Sequence, residues 1–174
     1  MSVALRFGIL SVSDRSARGQ RPDLAGPALS ERVLAQGWKV ERQAIVPDDA
    51  PAIISTLLSW ADSGDVDIIL TTGGTGFSRR DVTPEATLEV IQRQAPGLAE
   101  AMRQASLQVT PHAMLSRAVA GIRGQTLILN LPGSPKGAVE NLAVVLPVLP
   151  HAVQVLQEDA SAEAGHQYSN PSSG

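Results

Sequence analysis

The chain alternates short continuous apolar runs with stretches in which apolar residues recur every three or four positions. The runs at residues 6–12 (RFGILSV), 66–70 (VDIIL) and 126–131 (TLILNL) predict strands covered on both faces. Residues 40–46 (VERQAIV) half alternate, which predicts a strand nearer a sheet edge. Helical spacing predicts helices from Pro27 to near Gly37 and over 50–63, 84–94, 97–109, 138–146 and 151–157. Residues 118–122 and 126–131, joined by Arg123-Gly124-Gln125, predict a hairpin. Residues 17–23 are polar and read as a mobile loop, and 113–117 are too short to assign. Strands alternating with helices predict an α/β domain over 1–157. The small, polar residues 158–174 read as a disordered tail.

Composition narrows this picture. Aromatics are only 3% of 174 residues while 43% are hydrophobic, so the core must be aliphatic and alanine-rich. The formal net charge of −3 argues against a broad nucleic-acid or membrane surface, so any anion site must be local. There are no cysteines, which excludes disulfides, thiolate metal sites and a cysteine nucleophile. No stretch approaches about 18 consecutive apolar residues, and the N-terminus lacks a secretory pattern. The expectation is a cytoplasmic protein with neither nucleic acid nor membrane as partner. The histidines, His112, His151 and His166, show no i,i+4 metal spacing.

The candidate chemistry sits where strands end. After residues 66–70 comes Thr71-Thr72-Gly73-Gly74-Thr75-Gly76, then Arg79-Arg80-Asp81 and the helix-start signature Val82-Thr83-Pro84-Glu85. Free backbone N–H groups in a glycine turn beside a helix N-terminus form an anion-binding corner, which predicts a phosphate here. Asn130-Leu131-Pro132-Gly133-Ser134-Pro135-Lys136 repeats the design, with Gly133 admitting a ligand to the backbone and Lys136 supplying a charge. Ser11, Ser13 and Asp14 end the first strand, and Asp48-Asp49 follow the second. Each cluster has two readings: a helix cap, or part of one ligand face at the carboxyl ends of an open sheet. A Walker-type P-loop is excluded, because no Gly-Lys-Ser/Thr follows the glycine turn.

These motifs, with Leu115-Ser116-Arg117 and Gly121-Ile122-Arg123-Gly124, resemble the molybdopterin adenylyltransferases in order and spacing over nearly all of 5–157. That family comprises the Mog-type bacterial enzymes and the related domains of fusion proteins such as gephyrin. The resemblance implies a three-layer α/β/α fold with a mostly parallel central sheet, of the molybdopterin-binding-domain type, usually a homotrimer. It implies transfer of AMP from Mg-ATP to molybdopterin with release of pyrophosphate, in molybdenum cofactor biosynthesis. The molybdate-insertion enzyme and molybdopterin synthase are the partners it suggests. By position, Asp48 and Asp81 match the acidic residues tied to magnesium and catalysis. Thr72, Gly73, Gly74, Thr75, Gly76 and Arg80 match one half of the nucleotide and pterin cradle. Asn130, Pro132, Gly133, Ser134 and Lys136 match the other, and Ser11, Ser13, Asp14 and Ser116 fall where the family lines the same cleft. The chain departs from the family's frequent Asp-Xaa-Ser-Gly at Asp23-Leu24-Ala25-Gly26, losing a hydroxyl. A binding module without catalysis is the other class of function, and the presence of both Asp48 and Asp81 favours the enzyme.

Overall fold

The computed structural model describes residues 3–158, so the expected tail lies, apart from Glu158, outside the described residues. A six-stranded sheet in the order β2-β1-β3-β6-β5-β4 forms the middle layer. Its strands are β1 (Arg6–Val12), β2 (Lys39–Val46), β3 (Ile68–Thr72), β4 (Arg93–Gln94), β5 (Ala120–Arg123) and β6 (Thr126–Leu131). Strands β2, β1, β3 and β6 run parallel, while β5 and β4 close the far side antiparallel. The mostly parallel sheet is as expected, and the 120–131 hairpin supplies the antiparallel part.

Helices cover both faces. Phe7, Ile9, Ile68, Leu70, Leu127 and Leu129 point to one side, where α2 (Ala25–Leu34), α5 (Pro96–Leu107), α6 (Pro135–Val145) and α7 (Leu149–Leu156) pack. Leu10, Val12, Ile69 and Ile128 point to the other, under α3 (Ala50–Ala61) and α4 (Thr83–Val90). Consecutive strand residues therefore feed opposite cores, which is why the central strands read as unbroken apolar runs. Strand β2 alternates exposed and half-buried residues along its length and lies at the edge, as its mixed pattern predicts.

Three local outcomes differ from the sequence expectation. The helix expected over 84–94 stops at Val90: Ile91 is extended, and Gln92 N and Ala95 N donate to the carbonyls of Ile122 and Ala120. The run Gln92-Arg93-Gln94 offers no apolar face to continue the helix, and the free edge of β5 takes it as β4. Residues 14–17 form a one-turn helix, α1 (Asp14–Ala17), from the polar cluster after β1 and the first residue of the expected 17–23 loop. Residues Pro111–Leu115 form a 3-10 turn. The helical stretch Pro135–Leu156, with mean hydropathy 1.5 over its most apolar window, is long and apolar enough by composition to cross a membrane. Here its Ala138, Leu142, Val145, Leu149 and Val153 line one face that is buried in the core beside the sheet.

The topology locates the site. From β1 the chain crosses to β2 on one side, then returns past β1 to β3 on the other. That reversal opens a crevice at the carboxyl ends of β1 and β3, where open α/β sheets bind ligands.

Candidate active site

A cleft of about 770 Å³ lies at this crevice. Its walls come from the β1–α1 turn, the loop before α2, the end of β2, the glycine turn after β3 and the turn before α6.

The two turns at the ends of β1 and β2 clasp each other. Asp14 N donates to Asp48 Oδ2 at 2.9 Å, and Asp48 N donates to Asp14 Oδ1 at 3.0 Å. Arg80, from the β3–α4 loop, forks onto the same Asp14 carboxylate, with Nε and one terminal nitrogen each at 2.9 Å. Asp49 is the helix cap, its side chain accepting from Ala52 N at 3.1 Å. The ambiguous acidic pair thus divides: Asp49 caps α3 from the surface, and Asp48 faces the cleft.

Asp48 and Asp81 lie over the glycine turn. A Cβ on Gly74 would stand 3.2 Å from Asp48 Oδ1, and one on Gly76 would stand 2.9 Å from Asp81 Oδ2. Asp81 Oδ2 accepts from Ser78 N at 2.9 Å, which closes the loop and fixes the carboxylate. Asp48 Oδ1 and Asp81 Oδ1 accept no hydrogen bond from the described residues. Burial pushes the Asp48 carboxyl above its ordinary range, and the charges of Asp14 and Asp81 push the same way, against the Asp14 amide and Arg80. Asp14 goes down: burial pulls upward, but the Arg80 guanidinium and the Asp48 amide outweigh it. A destabilised carboxylate with a spare oxygen in a cleft is a candidate functional group.

The two small-residue corners form one floor. Thr72 Oγ1 donates to the Pro132 carbonyl at 2.7 Å, and Gly73 N to the Leu131 carbonyl at 3.2 Å. A Cβ on Gly133 would lie 3.3 Å from Gly73 Cα, so the turns touch. The hydroxyls double as caps. Ser13 Oγ accepts from Ser16 N at 3.2 Å, and Ser134 Oγ from Gly137 N at 3.1 Å.

Ser11, Ser13, Asp14, Asp48, Thr72, Gly73, Gly74, Arg80, Asp81, Gly133 and Ser134 thus share this cleft. Thr75, Gly76, Ser116 and Pro132 instead line a second cavity of about 290 Å³, with Arg103, Val109, His112 and Leu115. Ser134 belongs to both, so the cavities adjoin.

Two expected residues lie elsewhere. Lys136 is 81% exposed, 3.9 Å from Glu140 one helical turn on, and lines neither cavity. Asn130 is fully buried in the interior. Its amide donates to Thr71 Oγ1 and Thr87 Oγ1, each at 3.0 Å, and its oxygen accepts from Val119 N at 3.2 Å. Every polar group there is matched, so Asn130 ties β3, β6, α4 and the segment before β5 together and is not a ligand contact. Asn130→Ala strands those partners and is expected to cost about 2–4 kcal/mol. Thermal unfolding should show a Tm lower by roughly 5–12 °C, and an unchanged Tm would refute the structural role.

Reading the sequence missed Arg15 and Arg21 on the cleft wall, and noted Asp23 only as part of the family's Asp-Xaa-Ser-Gly position, not as a site residue. Asp23 Oδ2 accepts from Ser11 Oγ at 2.5 Å and Oδ1 from Gly26 N at 3.1 Å, which holds the start of α2 against β1. The Asp23–Gly26 spacing was the available signal. Arg15 and Arg21 have no ion-pair partner among the described residues.

A family model described as a probable molybdopterin binding domain matches residues 8–151. The chain belongs to that family. It is 48% identical over 141 residues to the molybdopterin adenylyltransferase of Escherichia coli K12, covering 79% of this chain and 72% of that one. It is 43% identical over 159 residues to gephyrin of Dictyostelium discoideum, covering 86% of this chain but only 22% of gephyrin. Among solved structures, the molybdopterin biosynthesis enzyme MoaB of Thermus thermophilus is 53% identical with a TM-score of 0.83, covering 88% of this chain and 97% of that one. The family fold is therefore the three-layer α/β/α arrangement described above.

Proposed function

We propose that this chain is a molybdopterin adenylyltransferase that uses the larger cleft for ATP and the adjoining cavity for molybdopterin. The single observation that carries the reading is the pair of carboxylate oxygens without protein donors, on Asp48 and Asp81, above a glycine turn between two adjoining cavities. The 48% identity to an enzyme of that name supports it.

Magnesium fits the residues present. The larger cleft carries four carboxylates, Asp14, Asp23, Asp48 and Asp81, against the three guanidinium groups of Arg15, Arg21 and Arg80. A cleft with one negative charge in excess disfavours a triphosphate, and a counter-cation offsets that repulsion. Hard carboxylate oxygens that leave other positions to phosphates and water are what magnesium takes, and Asp48 and Asp81 would hold it. When bound, the ion neutralises phosphate charge as it develops.

The reaction forms a bond from a molybdopterin phosphate oxygen to the ATP α-phosphorus and breaks the α–β bridge, releasing pyrophosphate. A phosphate monoester has its second pKa near ~6, so at neutral pH the nucleophile is already mostly dianionic and requires no general base. The chain's task is alignment of two polyanions. The N–H groups of Gly74 and Gly133 and the hydroxyl of Ser13 orient phosphates, and Arg15 and Arg21 complement the departing pyrophosphate. Thr75, Gly76, Ser116 and Pro132 orient the pterin. A homotrimer working in the cytoplasm, with the molybdate-insertion enzyme downstream, belongs to the same reading.

Incubation with molybdopterin and ATP labelled at the α-phosphate tests it. Label should pass to the pterin with one pyrophosphate released, and only with magnesium present. Pterin binding without label transfer would leave a binding module in place of an enzyme.

A further inference from the structure

Leu115-Ser116-Arg117 is a sequence motif whose charged residue the site has not used. Arg117 is half-buried, and its guanidinium faces the loop that bears Asp81. Nε donates to the Gly76 carbonyl at 2.7 Å, and one terminal nitrogen donates to the Asp81 carbonyl at 2.6 Å. The other terminal nitrogen pairs with Glu85 in the first turn of α4. The Arg117 backbone N–H adds a bond to the Thr75 carbonyl at 2.9 Å. One residue thus pins the loop at its entry, at Asp81 and at the helix beyond.

The residue is itself held from behind. Arg103 on α5 donates through Nε to the Ser116 carbonyl at 3.0 Å and through a terminal nitrogen to the Ala118 carbonyl at 2.8 Å. The backbone on either side of Arg117 is therefore anchored to a core-packed helix. In contrast, residues 77–80 are all exposed and have no apolar packing of their own to fix them. Loop conformation, and with it the aim of the Asp81 carboxylate, depends on polar bonds to carbonyls.

We propose that Arg117 is a positioning residue for Asp81, setting the 76–81 loop so that the carboxylate stands over the glycine turn facing Asp48. This rests on the reading of Asp81 as a functional carboxylate. A planar fork that spans two carbonyls is what the role needs, because an ammonium is a single point charge and cannot span both. The pairing with Glu85 is secondary: that carboxylate is exposed, and Arg117 holds it below its ordinary range against a small opposing effect of burial.

Arg117→Gln, Arg117→Lys and Glu85→Gln, each compared with Asp81→Asn, test the proposal by kinetics and by amide hydrogen exchange. Arg117→Gln is expected to lower kcat about 10²-fold, as a displacement of order 1 Å does, with KM for ATP changed little. The Ser78 amide, which donates to Asp81 Oδ2, should exchange faster while amides of β1 and β3 keep their protection. Arg117→Lys should not restore kcat, and Glu85→Gln should stay within about threefold of the parent. The proposal is overturned if Arg117→Gln keeps its kcat, if Lys restores it, or if sheet and loop amides lose protection together. An inactive Asp81→Asn beside an active Arg117→Gln overturns the positioning role alone. An active Asp81→Asn overturns the reading beneath it.

Discussion

Asp81→Asn is expected to leave a folded protein that no longer transfers AMP, with kcat lower by about 10²–10³-fold or more. The amide keeps the side chain's shape, and its oxygen can still accept from Ser78 N, so the turn at 78–81 survives. What is lost is the negative charge on the oxygen that accepts no protein hydrogen bond. Asp48→Asn should be similarly inactive but differ in stability. In the folded protein burial and two neighbouring carboxylates already disfavour the charged Asp48. A raised carboxyl pKa means that deprotonation costs folding free energy at neutral pH, so a neutral isostere removes that cost. Its Tm should match or exceed the parent's, the usual sign of a site that trades stability for function. Full turnover by a well-folded Asp81→Asn protein would end the catalytic assignment, and a marked drop in Tm for Asp48→Asn would contradict the electrostatic account.

Much of this was readable from residue order because the controlling interactions are local. A run such as RFGILSV has one stable environment, a strand buried on both faces, and β1 occupies those seven residues. The phosphate corners were readable because strand, glycine turn and helix start are adjacent in sequence. The failures involve partners distant in sequence. Gln92-Arg93-Gln94 becomes β4 because β5, about thirty residues on, offers an edge. Asn130 looks like a ligand residue at a strand end, but strand alternation turns it inward, where hydroxyls from Thr71 and Thr87 await it. Asp48 and Asp49 are indistinguishable as letters. The backbone gives Asp49 the capping geometry, and the amide of Asp14, 34 residues away, takes Asp48. Arg117 is the same case in reverse, since nothing beside it in the chain shows that its partners are the carbonyls of Gly76 and Asp81.

Gly73→Ala is expected to be the most damaging single-methyl addition in the site. Gly73 has φ +101°, and a Cβ there would fall 2.4 Å from the Val12 carbonyl oxygen. That oxygen belongs to backbone at the end of β1, so no rotamer change relieves the contact. The ends of β1 and β3 would have to part. Their separation would also strain the Gly73 N–H bond to the Leu131 carbonyl and the contact with Gly133, so both phosphate corners move together. Strain from the positive φ and overpacking against fixed backbone sum to about 2–4 kcal/mol, a Tm loss of roughly 5–15 °C. Gly19→Ala separates the two contributions. Gly19 has φ +70° but nothing within 4 Å of an added Cβ, so it carries the conformational strain alone, about 1 kcal/mol. If the two variants melt within a degree or two of each other, the clash with Val12 is not what makes glycine necessary. If Gly73→Ala melts well below Gly19→Ala and loses ATP binding as well, the glycine is there because the β1 backbone runs directly beside the phosphate floor.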